Sequence, residues 1–168
     1  MKVGKVAAAV VAAAIGGGLL FASPAHAHYD GAGQLYAQME VYPYSYNSTW
    51  QSAIDRGLSY WNATPTPAYI SKYQYSGSSV TAASYSDTWY GLYQRCGDNC
   101  YYIKLNARTI SRDAYNFQNF ATSTTVHEYG HALNLAHNSV FSIMNHSRDR
   151  NTVYTPQPHD IDDVNAYY

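Results

Sequence analysis

Between Thr124 and Ser147 the chain reads TTVHEYGHALNLAHNSVFSIMNHS, which holds four of its seven histidines and one of its two glutamates. His127 and His131 are four residues apart, so on a helix both imidazoles project from one face. Glu128 lies about 100° around the axis from His127. This H-E-x-x-H spacing offers two zinc ligands and a carboxylate within reach of a zinc-bound water. A catalytic zinc needs a third protein ligand, and His137 is the candidate. In a helix continued past His131 it would lie ~9 Å further along and ~240° around the axis. Zn–N bonds of ~2.0–2.1 Å cannot close a tetrahedron across that gap. The chain must therefore leave the helix between the two residues. Asn134 can do this, because after glycine asparagine is the side chain most at home in the left-handed conformation that ends helices.

Drawn independently at this chain's frequencies, H-E-x-x-H with a histidine six residues later has odds on the order of one in ten thousand. A core helix with incidental histidines is the competing explanation. Three imidazoles would leave a fourth zinc position open for water, the arrangement of a catalytic rather than a structural site. A zinc-binding module or pseudoenzyme without proteolysis fits the histidines equally well, and Glu128 is the residue that discriminates, since such a site needs no base there. A secreted domain that binds through a tyrosine-rich surface would leave the histidine spacing unexplained.

HEYGHALNLAH followed by SIMN resembles the metzincin zinc peptidases, whose signature is H-E-x-x-H-x-x-G-x-x-H with a later methionine turn. Within that clan the likeness is to the secreted bacterial matrixin-like enzymes. Snapalysin-type small proteases are the second choice, but they carry an aspartate where this chain has His137. The resemblance implies that His127, His131 and His137 bind one catalytic zinc, that Glu128 is the general base, and that Met144 forms an apolar floor. It implies an α+β, metzincin-like (zincin) domain with a twisted, mostly parallel sheet of about five strands, an antiparallel edge strand and three helices. It further implies a secreted endopeptidase acting on proteins or peptides. Substrate would lie along the edge strand around Trp89 to Arg95, beside a pocket walled by roughly His146 to Pro158.

This chain departs from the family pattern in three places. Asn134 replaces the family glycine. His146 stands two residues after Met144, where related families have a tyrosine; it is either a surface residue or a hydrogen-bond donor to a developing oxyanion. No cysteine-switch propeptide is expected, because Cys96 and Cys100 are the only cysteines. Matrixins also carry a structural zinc on upstream histidines; only His28 remains there after the leader, so one zinc is expected. Calcium would find oxygen ligands in Asp87, Asp98 or Asp113, but no motif supports it.

The elements that must position these residues can be read around them. Residues 1–27 read as a secretory signal peptide: Lys2 and Lys5, an apolar run from Val6 to Phe21, then Ala25-His26-Ala27 as the cleavage site. An uncleaved membrane anchor is the alternative, but the run is short of the ~20 residues that span a bilayer. Residues 28–168 then form a single catalytic domain, a monomer without a membrane span. Without the two leader lysines, 8 basic residues face 11 acidic ones, a net charge of −3 with no basic stripe, so nucleic acid is not an expected partner. Behind a signal peptide, Cys96 and Cys100 suggest a disulfide closing a Gly-Asp-Asn turn. Most of the 19 tyrosines are expected to be half-buried strand residues with wet hydroxyls.

Trp50, Ile54, Leu58 and Trp61 fall on one face of a helix capped by Asn47 or Ser48 and ended by TPTP. Short strand-like runs follow in AYISKYQY, SVTAASY, WYGLYQR and YYIKLN. ARTISRDAYNFQNF reads as a polar, partly helical link. The C-terminal DIDDVNAYY reads as a short helix capped near Asp160, with Ile161, Val164 and Tyr168 inward. Arg148 and Arg150 read as part of a solvated charged loop.

Overall fold

The computed structural model describes residues 28–168; the expected signal peptide, residues 1–27, lies outside them. Nine elements follow in order: β1 (Gln38–Val41), α1 (Ser48–Asn62), β2 (Tyr69–Lys72), β3 (Ser79–Ala83), β4 (Gly91–Gly97), β5 (Cys100–Asn106), α2 (Ala107–Asp113), α3 (Phe117–Ala132) and α4 (Pro158–Tyr167). The fold is α+β.

The strands do not form the expected single sheet of about five mostly parallel strands. β1 and β2 make a parallel pair of their own, and β3, β5 and β4 make a separate sheet in that order. In the latter β3 runs parallel to β5 and β4 antiparallel. The physical reason lies where the two sheets meet. β1 stops at Val41, just ahead of Pro43, which has no N–H to give a ladder. Only the Tyr42 N–H reaches Ser78 O, at 2.9 Å, immediately before β3 starts. One bond end to end replaces a ladder.

The β4–β5 hairpin turns through Asp98-Asn99, and a Cys96–Cys100 disulfide closes it. The register slips between Arg95 and Gly97, leaving Cys96 as the bulged residue.

Among the described residues four helices are present instead of three, because the polar link contains α2 as a separate helix. Asparagines start three of them: Asn47 accepts from Trp50 N, Asn106 from Arg108 N and Asn116 from Asn119 N. The exception is α4, which begins on Gln157 rather than near Asp160; Asp160 sits at its third position and returns a bond to the Gln157 N–H. Its buried side carries Asp160, Asp163 and Val164, while Ile161 and Tyr168 are only partly covered.

The core forms where α1 packs on α3. Ile54 and Trp61 are fully buried, with Trp50 and Leu58 partly so. Trp61 Nε1 donates to Val126 O at 2.8 Å, crossing between the helices. α3 is buried on nearly every side although it contains Thr122-Ser123-Thr124-Thr125. Those hydroxyls are satisfied locally: Thr124 donates to Phe120 O and Thr125 to Ala121 O, both at 2.9 Å. Thr122 donates across to Ala53 O of α1. A central helix can therefore be polar in sequence and still dry.

Most tyrosines are partly covered, as expected, but among the described residues only Tyr69, Tyr93, Tyr101 and Tyr102 lie in strands. Tyr101 and Tyr129 are fully buried with hydroxyls that find no protein partner, whereas Tyr75 and Tyr115 are largely exposed.

Candidate metal centre

α3 ends immediately after the second histidine, and the manner of its ending sets the site. Leu133 is the C-cap, Asn134 N–H donates to His131 O at 2.9 Å, and Leu135 N–H donates back to Gly130 O at 2.9 Å. These two bonds are the pair that defines a Schellman ending, with the residue between them in the left-handed region. Asn134 occupies that position at φ 64°, the only non-glycine positive φ among the described residues. An asparagine does something here that glycine could not. Its side-chain oxygen accepts from Gly33 N–H at 3.0 Å; with the main-chain bond from Asp30 N–H to the residue's carbonyl, which a glycine would also make, this fastens the N-terminal arm to the turn.

Past the turn the chain doubles back and brings His137 to the helix histidines. His127 Nε2 lies 3.0 Å from His137 Nε2, and His131 Nε2 lies 3.2 Å from the same atom. Ligands on a tetrahedral ion with bonds of ~2.0–2.1 Å are about 3.3 Å apart, so the spacing is that of a ligand set. The other ring nitrogens agree. His127 Nδ1 meets Ile143 O at 2.8 Å and His131 Nδ1 meets Leu135 O at 2.9 Å. A carbonyl only accepts, so both Nδ1 atoms carry the proton and both Nε2 lone pairs point at the shared space. Arg148 Nη1, 3.1 Å from His127 Nδ1, is then a neighbouring charge rather than a hydrogen-bond partner.

Burial pushes the His137 imidazole down to about 4, reinforced by the charges of His131, His146 and Arg148. His127 is also held well below its ordinary value, by burial first and Arg148 second. Neutral imidazole is the form that binds a metal. His131 is different: burial lowers it, but Asp30, Glu128 and the Leu135 carbonyl more than offset this.

Glu128 is buried at 4% exposure. Removal from water raises its carboxyl to about 7, against the lowering influence of His131, Arg148 and Arg150. It faces the start of β4, where a Cβ on Gly91 would collide with Glu128 Oε1 and Thr124. Glycine at position 91 is what lets the carboxylate sit against the strand.

Met144 is fully buried and lies against α3 at Gly130, between His127 and His131, where any side chain would overlap its sulfur. Its turn is held from α4. Asp160 accepts from Ile143 N–H at 2.7 Å and Gln157 N–H at 2.8 Å through one oxygen, and from Met144 N–H at 3.3 Å through the other. Ile143 O in turn fixes His127, so α4 reaches the site through one carboxylate.

Three contributors have no signature in the sequence. Asp30 Oδ2 lies 3.5 Å from His131 Nδ1. Asp160 orders the methionine turn. Arg148, expected in a solvated loop, is buried; it donates to Ser123 Oγ and Ser123 O at 3.0 Å each and to Asn145 O. Arg150 is half-buried, its guanidinium 4.8 Å above the Tyr90 ring. His146 is exposed, its ring in edge contact with His137 at 5.3 Å between centroids. Asp98 is engaged by Arg95 and Asp113 by Arg112, and the structure does not gather them with Asp87 into a group.

The histidines and Glu128 line an open cleft of about 580 Å³ whose far wall is Thr88–Tyr93. β4 is the edge of its sheet but starts at Gly91, so Trp89 and Tyr90 precede it; Tyr90 O is already taken by Asn106 N–H.

No family model matches the chain, and no curated protein matches it. A chain in the solved GM1-bound form of the ECX AB5 holotoxin superposes with a TM-score of 0.55 at 15% identity, covering 83% of this chain and 86% of that one. At that identity the likeness is one of fold alone. With the two small sheets, of two and three strands, it corrects the expected metzincin-like architecture built on one mostly parallel sheet of about five strands. Among the described residues no helix is long and apolar enough to cross a membrane.

Proposed function

We propose that this chain is a secreted zinc-dependent endopeptidase of metzincin type in its ligand set, with His127, His131 and His137 as zinc ligands and Glu128 as general base. The convergence of three Nε2 atoms beside a buried glutamate in an open cleft carries this reading. The donors suit zinc: three imidazoles, two of them with their outer nitrogens committed to carbonyls. When bound there, zinc supplies Lewis acidity, lowering the pKa of water toward ~7 and polarising a carbonyl.

The chain's own residues do the rest. Glu128, with a carboxyl near 7, is poised both to accept a proton from the attacking water and to return it to the leaving nitrogen. Gly91 leaves its oxygen room to do so. Met144 and Asp160 keep His127 in place, and Asn134 delivers His137. The edge of β4 offers main-chain groups on which an extended peptide can pair, a mode nearly blind to sequence.

Casein digestion by the purified secreted protein tests the proposal. Cleavage should stop when the metal is removed by a chelator and return on adding zinc. Zinc bound without any cleavage would instead support the non-proteolytic zinc module.

A further inference from the structure

A second group of metal-capable side chains lies away from the cleft, where the N-terminal arm meets α4: His28, His159 and Asp163. We propose that these three residues form a second zinc-type divalent-cation site that ties the arm to α4. It replaces the one-zinc expectation and does not depend on the peptidase reading.

The geometry parallels that of the first group. His159 and Asp163 are four apart on one face of α4, as His127 and His131 are on α3. His159 Nε2 lies 3.4 Å from His28 Nδ1 and 3.4 Å from Asp163 Oδ2; His28 Nδ1 lies 4.0 Å from that oxygen. Good N–H···O hydrogen bonds fall at about 2.7–3.2 Å, so the triangle is too wide for them. Its two shorter edges match the ~3.3 Å ligand separation of a tetrahedral ion.

Charge points the same way. The Asp163 side chain is only 3% exposed, and among the described residues its ion partners are these two histidines, with no lysine or arginine. A carboxylate that deep needs a counter-charge. In the secreted form that starts at His28 this residue's main-chain nitrogen is an α-ammonium, 3.4 Å from Asp163 Oδ2 and a further counter-charge to the carboxylate, and Tyr29 OH donates to Asp163 O at 3.1 Å, so the arm is already docked on the helix. Two imidazoles and a carboxylate form a borderline donor set suited to zinc.

The arm also flanks the first site. Ala136 N–H donates to His28 O at 2.7 Å, and Tyr29 bridges Leu135, so the segment leading into His137 pairs with residues adjoining the second site. An ion at His28 would stiffen the segment that carries His137 into position.

The test is zinc stoichiometry on the secreted protein, stripped with chelator and reloaded with zinc alone, for the parent, His159→Gln and His137→Gln. Two zinc ions in the parent and one in each variant are expected. One in the parent, one in His159→Gln and none in His137→Gln would overturn this proposal and leave the peptidase reading standing. One in the parent, none in His159→Gln and one in His137→Gln would support this proposal and sink the other. Zinc should also raise the melting temperature of His137→Gln, and fail to do so once Asp163→Asn is added; equal responses would overturn the site. If His159→Gln does not fold, His28→Gln removes a ligand from the arm instead and gives the same readout.

Discussion

At the scale of single residues, Asn134 and Gly91 show how two backbone details set up the chemistry. Asn134 combines a left-handed turn with a side-chain bond to Gly33, so substitutions there separate the two roles. Asn134→Ala keeps neither the bond nor an easy positive φ, and should cost about 2 kcal/mol in denaturant unfolding. Asn134→Gly keeps the turn and should stay within about 1 kcal/mol of the parent. Equal losses for both would mean that the conformation at 134 does not matter. Gly91→Ala would push a methyl into Glu128 and Thr124. It should retain the cleft zinc while casein cleavage falls at least tenfold; unchanged turnover would show that Glu128 does not work from this position. Asn134 was legible from sequence because its role follows from the covalent distance between His131 and His137. Gly91 was not, since nothing near it in the chain announces a glutamate packed across the fold.

At the scale of elements, the decisive part is the link from α4 to the methionine turn. Asp160 binds the N–H groups of Ile143, Met144 and Gln157, and is fully buried. Asp160→Ala strands those donors away from water and should destabilise the chain by about 3 kcal/mol, since each unpaired buried group costs roughly 1–3 kcal/mol. Zinc affinity in the cleft should fall with it, because Ile143 O orients His127. Loss of stability with unaltered zinc affinity would uncouple α4 from the site. Helices that follow hydrophobic periodicity and asparagine caps could be read in advance, as α1 was. The helix α3 could be placed only through its histidines, because its threonines hide a buried surface behind hydroxyls bonded to their own backbone. The separation of two sheets was not legible: it depends on a ladder that stops at a single bond, Tyr42 to Ser78, and strand pairing between distant segments leaves no local mark.

At the scale of the whole molecule, the cleft unites parts from both ends of the chain: Asp30 from the arm, the histidines of α3 and its turn, and Asp160 from α4. The ligands were legible because they fall within one short segment governed by helix geometry. The supports around them were not, because Asp30, Arg148 and Asp160 become neighbours only through the tertiary fold. The arm is the structural link between the two proposed metal sites, pairing with Leu135 and Ala136 on one side and docking on α4 on the other. The central claim is that Glu128 performs a proton transfer beside three zinc-binding imidazoles. It is tested most directly by measuring zinc content and casein cleavage on the same preparations of parent and Glu128→Gln. The account predicts equal zinc in the two and a loss of cleavage in the variant of about a hundredfold to ten-thousandfold. Equal zinc with undiminished cleavage would contradict it.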